Sequence, residues 1–290
     1  MPLSKTPTRH LFGLAKARGK RENLAGTALW RYSTSNPKGK ILLIHGFRGN
    51  HHGLSAVAAA LEEYEVLVPD LPGYGKSEEL LGSHDLKNYG RWLADLYSEL
   101  DPETMVLGHS FGSLVVGSAI AQGMRPAAVI LQNPITARSS EQRDLPNRVA
   151  RFFYRAALGL GPVGSALLRS WLVVRVMSIA MATTSYLRLR SLIHQQHHHH
   201  FSNYRSDRVA HEGFMAASSG NVLDYAQWLQ MPVLLIAGER DSIAPLRNQV
   251  LAHQLIAGSE LVVIPKVGHL THYETPIEVA VAVDEFASKL

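Results

Sequence analysis

The run Gly108-His109-Ser110-Phe111-Gly112 constrains this 290-residue chain more than any other stretch. It follows Thr104-Met105-Val106-Leu107, an apolar run that reads as a buried strand. It precedes Ser113-Leu114-Val115-Val116-Gly117-Ser118-Ala119-Ile120-Ala121, which reads as a helix. A strand and a helix joined by so tight a turn pass close to each other, so the positions flanking the serine must be small. Gly108 and Gly112 meet that need, and the Ser110 hydroxyl is pushed out of the sheet. The pentapeptide alone is a weak signal. Between a strand and a helix it marks Ser110 as a candidate nucleophile.

Other apolar runs repeat the pattern. Ile41–Ile44, Glu65–Pro69, Ala128–Leu131, Val233–Ile236 and Leu261–Ile264 are short, β-rich and apolar throughout rather than alternating. Such runs suit parallel strands covered on both faces. Helical stretches lie between them, around 54–61, 88–100, 113–122, 246–255 and 277–290. Strand–helix alternation predicts right-handed crossovers and a doubly wound, mostly parallel α/β sheet. An antiparallel strand at Thr27–Tyr32 is expected to lead in.

The interval 136–222 breaks this rhythm. It is Arg-rich, Leu/Ala/Met-rich and helical in period, and it shows no strand. It reads as a helical cap inserted between core segments 23–135 and 223–290, with 1–22 a solvated basic arm. Charge follows the same division. Residues 1–21 hold six Lys or Arg and no acid, and residues 138–210 hold eleven Arg against three acids, while the whole chain carries only +5. The rest of the chain is therefore net acidic. No basic–aromatic nucleic-acid motif accompanies either basic segment. Arg169 and Arg175 interrupt the most apolar stretch, so no transmembrane span is expected. The chain has no cysteine, which excludes disulfides and cysteine metal sites. With no apolar secretory leader visible, a cytoplasmic location is the expectation.

A serine hydroxyl is a poor nucleophile near neutral pH, so it needs a base, and the base needs an orienting acid. Asp241 lies just past the run Val233–Gly238, where it could also cap the following helix. His269 lies in the loop after Ile264. The order Ser110, Asp241, His269 is the one that accompanies a strand–turn–helix serine. An oxyanion needs two backbone N–H donors. Phe111, directly after the serine, is one candidate, and Phe47, in the turn His45-Gly46-Phe47-Arg48-Gly49, is the other.

These residues, with Asp70-Leu71-Pro72-Gly73-Tyr74-Gly75-Lys76-Ser77, Gly238-Glu239-Arg240-Asp241 and Gly268-His269, resemble the α/β-hydrolase fold superfamily. The resemblance is to its capped esterase, lipase and carbon–carbon hydrolase members, over roughly residues 26–135 and 223–290. It implies an eight-stranded sheet, a Ser-His-Asp triad and no cofactor. Many members carry a second glycine where this chain has Ser113. The cap matches no named pattern, so the substrate class does not carry over.

Other motifs receive structural readings. Asp70 and Ser77 are expected to satisfy loop amides. Arg48, His51 and His52 are expected to be solvated, with Arg48 a candidate to meet an anionic substrate group. Phe152, Phe153, Trp171, Met177 and Met181 are candidates to line an apolar substrate site. His272 is expected at the surface or at a helix start. The tract His194 and His197–His200 lacks an acid or cysteine to complete a metal set, so no metal site is expected. The expected activity is hydrolysis of a carboxylic ester, anionic or lipid-like, by a cofactor-independent serine hydrolase. Three readings stand beside it: carbon–carbon hydrolysis with an arginine carboxylate clamp, amide hydrolysis, and non-catalytic small-molecule binding. The basic cap is compatible with a solvated face, or with contact at an anionic membrane surface.

Overall fold

A computed structural model describes residues 8–138, 152–154, 156, 157 and 159–290. The apolar runs form one sheet. Its strands are β1 (Gly19–Leu24), β2 (Thr27–Tyr32), β3 (Lys40–Ile44), β4 (Glu65–Pro69), β5 (Met105–His109), β6 (Val129–Gln132), β7 (Val233–Gly238) and β8 (Glu260–Ile264). Their spatial order is β1-β2-β4-β3-β5-β6-β7-β8. From β4 to β8 every pairing is parallel, while β2 runs antiparallel to β4 and β1 antiparallel to β2. Ala25 and Gly26 join β1 to β2 with φ of 49° and 79°, the paired positive angles of a type I′ hairpin.

The strands are apolar throughout because both faces are covered. In β3, Leu42 and Ile44 point into one core layer, and Ile41 and Leu43 point into the other, as the two-residue period of a strand requires. Helices α1 (Thr8–Arg18) and α2 (His51–Ala60) contribute to the second layer. Helices α3 (Leu86–Ser98) and α4 (Phe111–Ala121) contribute to the first. Between β6 and β7 the chain forms α5 (Gly161–Leu168), α6 (Trp171–Met181), α7 (Leu187–His200) and α8 (Asp207–Ser219), followed by a 3-10 turn at Val222–Trp228. No sheet strand occurs among the described residues of this interval, which agrees with a helical insertion. The helix α9 (Leu246–Leu255), the short α10 (Thr271–Glu274) and α11 (Pro276–Ala287) complete the core.

The amino-terminal segment corrects the expectation of a solvated arm. Residues 8–22 are a helix and part of an edge strand, and only residues 1–7 lie outside the described chain. Leu11 and Ala15, four residues apart, fall on one face of α1 and are buried in the second layer. Thr8 Oγ1 donates to the Tyr273 carbonyl at 2.9 Å, and Arg18 donates to the Ala59 carbonyl at 3.2 Å. The basic residues that suggested an arm have positions of their own. Lys16 and Arg18 occupy the last turn of α1, where cations suit the helix dipole. Lys20 and Arg21 lie exposed on the edge strand β1, where charge discourages further pairing. Leu11→Ala should therefore destabilise the protein by about 2–4 kcal/mol, read as a lowered urea midpoint. A change near zero would return this segment to the status of an arm.

Candidate active site

Ser110 sits between β5 and α4 with φ 52° and ψ −117°, a conformation that a residue bearing a Cβ rarely adopts. Local contacts hold it there. The Ser110 N–H donates to the Gln132 carbonyl at 3.0 Å, and the Ser110 carbonyl accepts the Ser113 N–H at 2.9 Å. A Cβ on Gly112 would overlap the Ile44 carbonyl oxygen, and one on Gly108 would come within 2.7 Å of the Gly112 carbonyl oxygen. Ser113, the departure from the usual second glycine, adds a brace. Its hydroxyl donates to the Ser110 carbonyl at 2.6 Å and accepts the Ile135 N–H at 3.2 Å.

The loops after β7 and β8 bring Asp241 and His269 to this serine. Ser110 Oγ lies 2.8 Å from His269 Nε2, and His269 Nδ1 lies 2.8 Å from Asp241 Oδ2. Asp241 Oδ1 accepts the N–H groups of Ile243 and Ala244, both at 2.8 Å, so the same carboxylate also ties the turn beyond β7. Burial pushes the Asp241 carboxyl up, but the nearby His269 and its hydrogen bonds outweigh this and hold it below the usual carboxylate range.

A further residue in this network was not singled out from sequence. Asn133, at φ 46°, donates from Nδ2 to Asp241 Oδ2 at 2.9 Å. Its own Oδ1 accepts the Thr271 hydroxyl at 2.5 Å, and Thr271 Oγ1 accepts Gln132 Nε2 at 2.7 Å. The available signal was the pair Gln132-Asn133 at the end of an otherwise apolar strand, since buried amides need partners.

Neutral imidazoles lie around Ser110, His269 and Asp241. His109 is buried and its Nε2 faces the His269 carbonyl at 3.2 Å; because a carbonyl only accepts, this nitrogen carries the hydrogen. His272 packs against His109 with ring centroids 4.1 Å apart. It lies in the first turn of α10, near the expected helix start, but it is buried rather than at the surface. His45 Nδ1–H donates to the Gly46 carbonyl and Nε2 accepts the Leu71 N–H, each at 2.9 Å, which shapes the turn carrying Phe47. Phe111 is the first residue of α4, where an amide has no partner within the helix. The Asp70 loop has its expected structural role. Asp70 accepts the N–H groups of His51 and Lys76, both at 2.7 Å, and Ser77 Oγ donates to the Asp70 carbonyl at 2.7 Å.

Arg48 is not solvated, and its guanidinium is committed to the cap. Only 1% of the residue is exposed. Nε donates to the Phe201 carbonyl and Nη2 to the Leu168 carbonyl, each at 2.8 Å, and Nη1 reaches the Tyr154 hydroxyl at 3.2 Å. Leu168 is the last residue of α5, and Phe201 caps the end of α7. Carbonyls at helix C-termini lack partners within the helix and carry the negative end of its dipole, so they accommodate a buried cation. His51 is not solvated either: it is buried and its Nδ1 lies 2.8 Å from Asp70. His52 is exposed as expected, with its ring stacked on His200.

The expected apolar lining divides in two. Phe152 and Trp171 are 74% and 63% exposed and form part of the outer surface instead. Phe153, Met177 and Met181 are half-buried. Met177 touches Arg48, and Met181 packs near Leu270 and Tyr273, just after His269. His194 and His197 turn inward onto the Ser178 hydroxyl at 2.6 and 2.8 Å, and no group of metal ligands converges among the described residues. Cavities of about 330 Å³ beside Trp228 and about 630 Å³ beside Tyr225 are not lined by Ser110, Asp241 or His269.

A sheet of this topology, with a serine raised at the end of β5 and a histidine and an acid delivered by the last two strands, defines an α/β-hydrolase architecture. The family profile of the α/β hydrolase fold matches residues 40–276, and the chain belongs to that family. It is 28% identical over 275 residues to an uncharacterized protein of Mycobacterium tuberculosis, covering 89% of this chain and 77% of that one. It is 25% identical over 246 residues to a pimeloyl-[acyl-carrier protein] methyl ester esterase of Neisseria meningitidis, covering 81% and 88%. Among solved structures, a thermophilic esterase from Thermogutta terrifontis superposes with a TM-score of 0.75 at 24% identity, covering 93% of this chain and 98% of that one.

Two predictions follow from the buried groups. Burial drives His45 down to about 4 and both His109 and His197 to about 3, whereas an unfolded histidine titrates near about 6.5. Between these limits the unfolded chain binds more protons, so stability should be full above about pH 6.5 and fall as the pH drops toward 4. The depressed carboxyls of Asp70 and Asp241 add to the loss at its acidic end. A urea midpoint that is the same at about pH 5 and about pH 7.5 would contradict this. Separately, Arg48→Lys keeps the charge but not the fork, and should lower stability by about 2–4 kcal/mol and expose the cap to limited proteolysis. A variant as stable and as protease-resistant as the wild type would refute the clamp.

Proposed function

We propose that this chain is a cofactor-independent serine hydrolase acting on carboxylic esters. The observation that carries the reading is the pair of 2.8 Å contacts running from Ser110 through His269 to Asp241. Ser110 Oγ attacks the acyl carbon and its proton passes to His269 Nε2. Asp241 holds Nδ1–H and stabilises the imidazolium as the tetrahedral oxyanion forms between the Phe47 and Phe111 amides. Collapse breaks the bond to the alcohol, which leaves with the proton from His269. Water then adds to the acyl-enzyme, with His269 as base, releasing the acid and restoring Ser110.

An ester with a sizeable apolar part suits the half-buried Phe153, Met177 and Met181 of the cap, and esterases are among the proteins of similar sequence and fold. The carbon–carbon alternative loses its best carboxylate clamp, since the Arg48 guanidinium is spent on cap carbonyls. A fluorophosphonate probe tests the reading directly. Intact mass should show one adduct on the wild type and none on Ser110→Ala. An unlabelled but folded wild type would favour a non-catalytic binding protein.

A further inference from the structure

Apart from Arg175 and Ser178 helix α6 is wholly apolar, yet among the described residues only one side is covered. Val174 and Ser178 are buried, while Met177 and Met181 face inward contacts with Arg48 and the Tyr273 cluster. On the opposite side Leu172, Val176 and Ile179 recur at i, i+4 and i+7 and are 65%, 60% and 52% exposed. Trp171 stands beside them at 63% exposure. An apolar helix stripe of this kind is normally covered, and among the described residues this one has no partner. The segment Gly161–Met181 is long and apolar enough to cross a membrane by composition. It does not run as one rod, because α5 ends at Leu168 and α6 restarts at Trp171 with Ser170 as its cap. The Leu168 carbonyl and Met177 are also both held by Arg48. The helix is therefore placed to lie on an apolar surface and not to span one.

Charge decides what covers the stripe. Between Asp144 and Asp207 the sequence holds eight arginines and no acidic residue. Arg175 follows Trp171 by one helical turn, and Arg188 is exposed on α7, which packs against α6 through Ser178, His194 and His197. Among the described residues neither arginine has a carboxylate partner. A second copy of the chain seated on this stripe by two-fold symmetry would oppose arginine to arginine. An anionic bilayer supplies the opposite charge along with an apolar interior, and a tryptophan beside basic residues is suited to the headgroup level.

We propose that the outer face of α6 is a docking surface for an anionic lipid bilayer. Docking there sets the bilayer next to the candidate active site. Thr183, two residues beyond α6, accepts the Gly268 N–H at 2.9 Å and donates to Glu274, so the docked helix is joined directly to the loop that carries His269.

Co-sedimentation with phosphatidylcholine vesicles, pure or doped with phosphatidylglycerol, tests this. Wild type and Ser110→Ala should bind the doped vesicles equally, because docking is independent of hydrolysis, and added salt should weaken binding. The triple variant Leu172→Ser, Val176→Ser, Ile179→Ser and the double variant Arg175→Gln, Arg188→Gln should each lose roughly tenfold or more in vesicle affinity. Both should keep the far-ultraviolet dichroism and urea midpoint of the wild type, since Leu172, Val176, Ile179 and Arg188 are exposed and Arg175 is only partly buried. Wild-type tryptophan emission should shift to the blue on the doped vesicles, and Trp171→Phe should lack that shift. Equal binding to neutral and anionic vesicles, no binding at low salt, or an unaffected triple variant would overturn the proposal. A wild-type dimer that the triple variant converts to monomer would assign the stripe to a second copy instead.

Discussion

The fold and the site both depend on how closely α4 approaches β3. Where Gly112 passes the Ile44 carbonyl there is no room for a Cβ. That contact lets the chain reverse within one residue and forces Ser110 into its positive φ. Strain of this kind costs about 1–3 kcal/mol and persists only where the surroundings over-determine it. Here the surroundings are the β5–β6 ladder, which continues into the Ser110 N–H to Gln132 bond, and the Ser113 hydroxyl beneath. A serine serves at 113 as a second glycine could not, since it bonds to the carbonyl of the strained residue and to the loop after β6.

The surroundings of Asp241 follow the logic of buried charge. Two lone carboxylate contacts would leave Asp241 costly to ionise in the interior. Four donors surround it instead: two backbone amides, the His269 ring and the Asn133 amide. Asn133 is in turn fixed by Thr271, from the helix that follows His269. Acid and base are thus aligned by one chain of bonds from β6 to α10, and neither loop needs to be held by the substrate.

Much of this was legible in the sequence because it rests on local pattern. Short apolar, β-rich runs located β3 to β8, and the order Ser110, Asp241, His269 selected residues that the structure brings within hydrogen-bond reach. What escaped depends on partners distant in sequence. The fully buried apolar residues of α1 are only Leu11 and Ala15, with Phe12 and Leu14 partly covered, too sparse to outweigh six neighbouring basic residues as a signal. Arg48 looks like a solvated loop residue until Leu168 and Phe201, more than a hundred positions later, present their carbonyls. Phe152 and Trp171 looked like lining because they are large and apolar, but period alone does not say which face of a cap helix points inward.

Arg48 also explains how the cap and the Phe47 turn can act as one body without a covalent tie. It directly follows Phe47, the proposed oxyanion donor, and has φ 59°, so its side chain and the Phe47 amide leave the same tight turn. A cation bound to the C-terminal carbonyls of two separate cap helices fixes their ends relative to that turn. The arrangement is directional, since a planar fork must meet both carbonyls and the Tyr154 hydroxyl at once. Any rearrangement that lifts α5 or α7 off the site must first strip a buried guanidinium of its acceptors, which disfavours partly opened states. The turn proposed to stabilise the oxyanion is thus tied to the seating of the cap through one side chain.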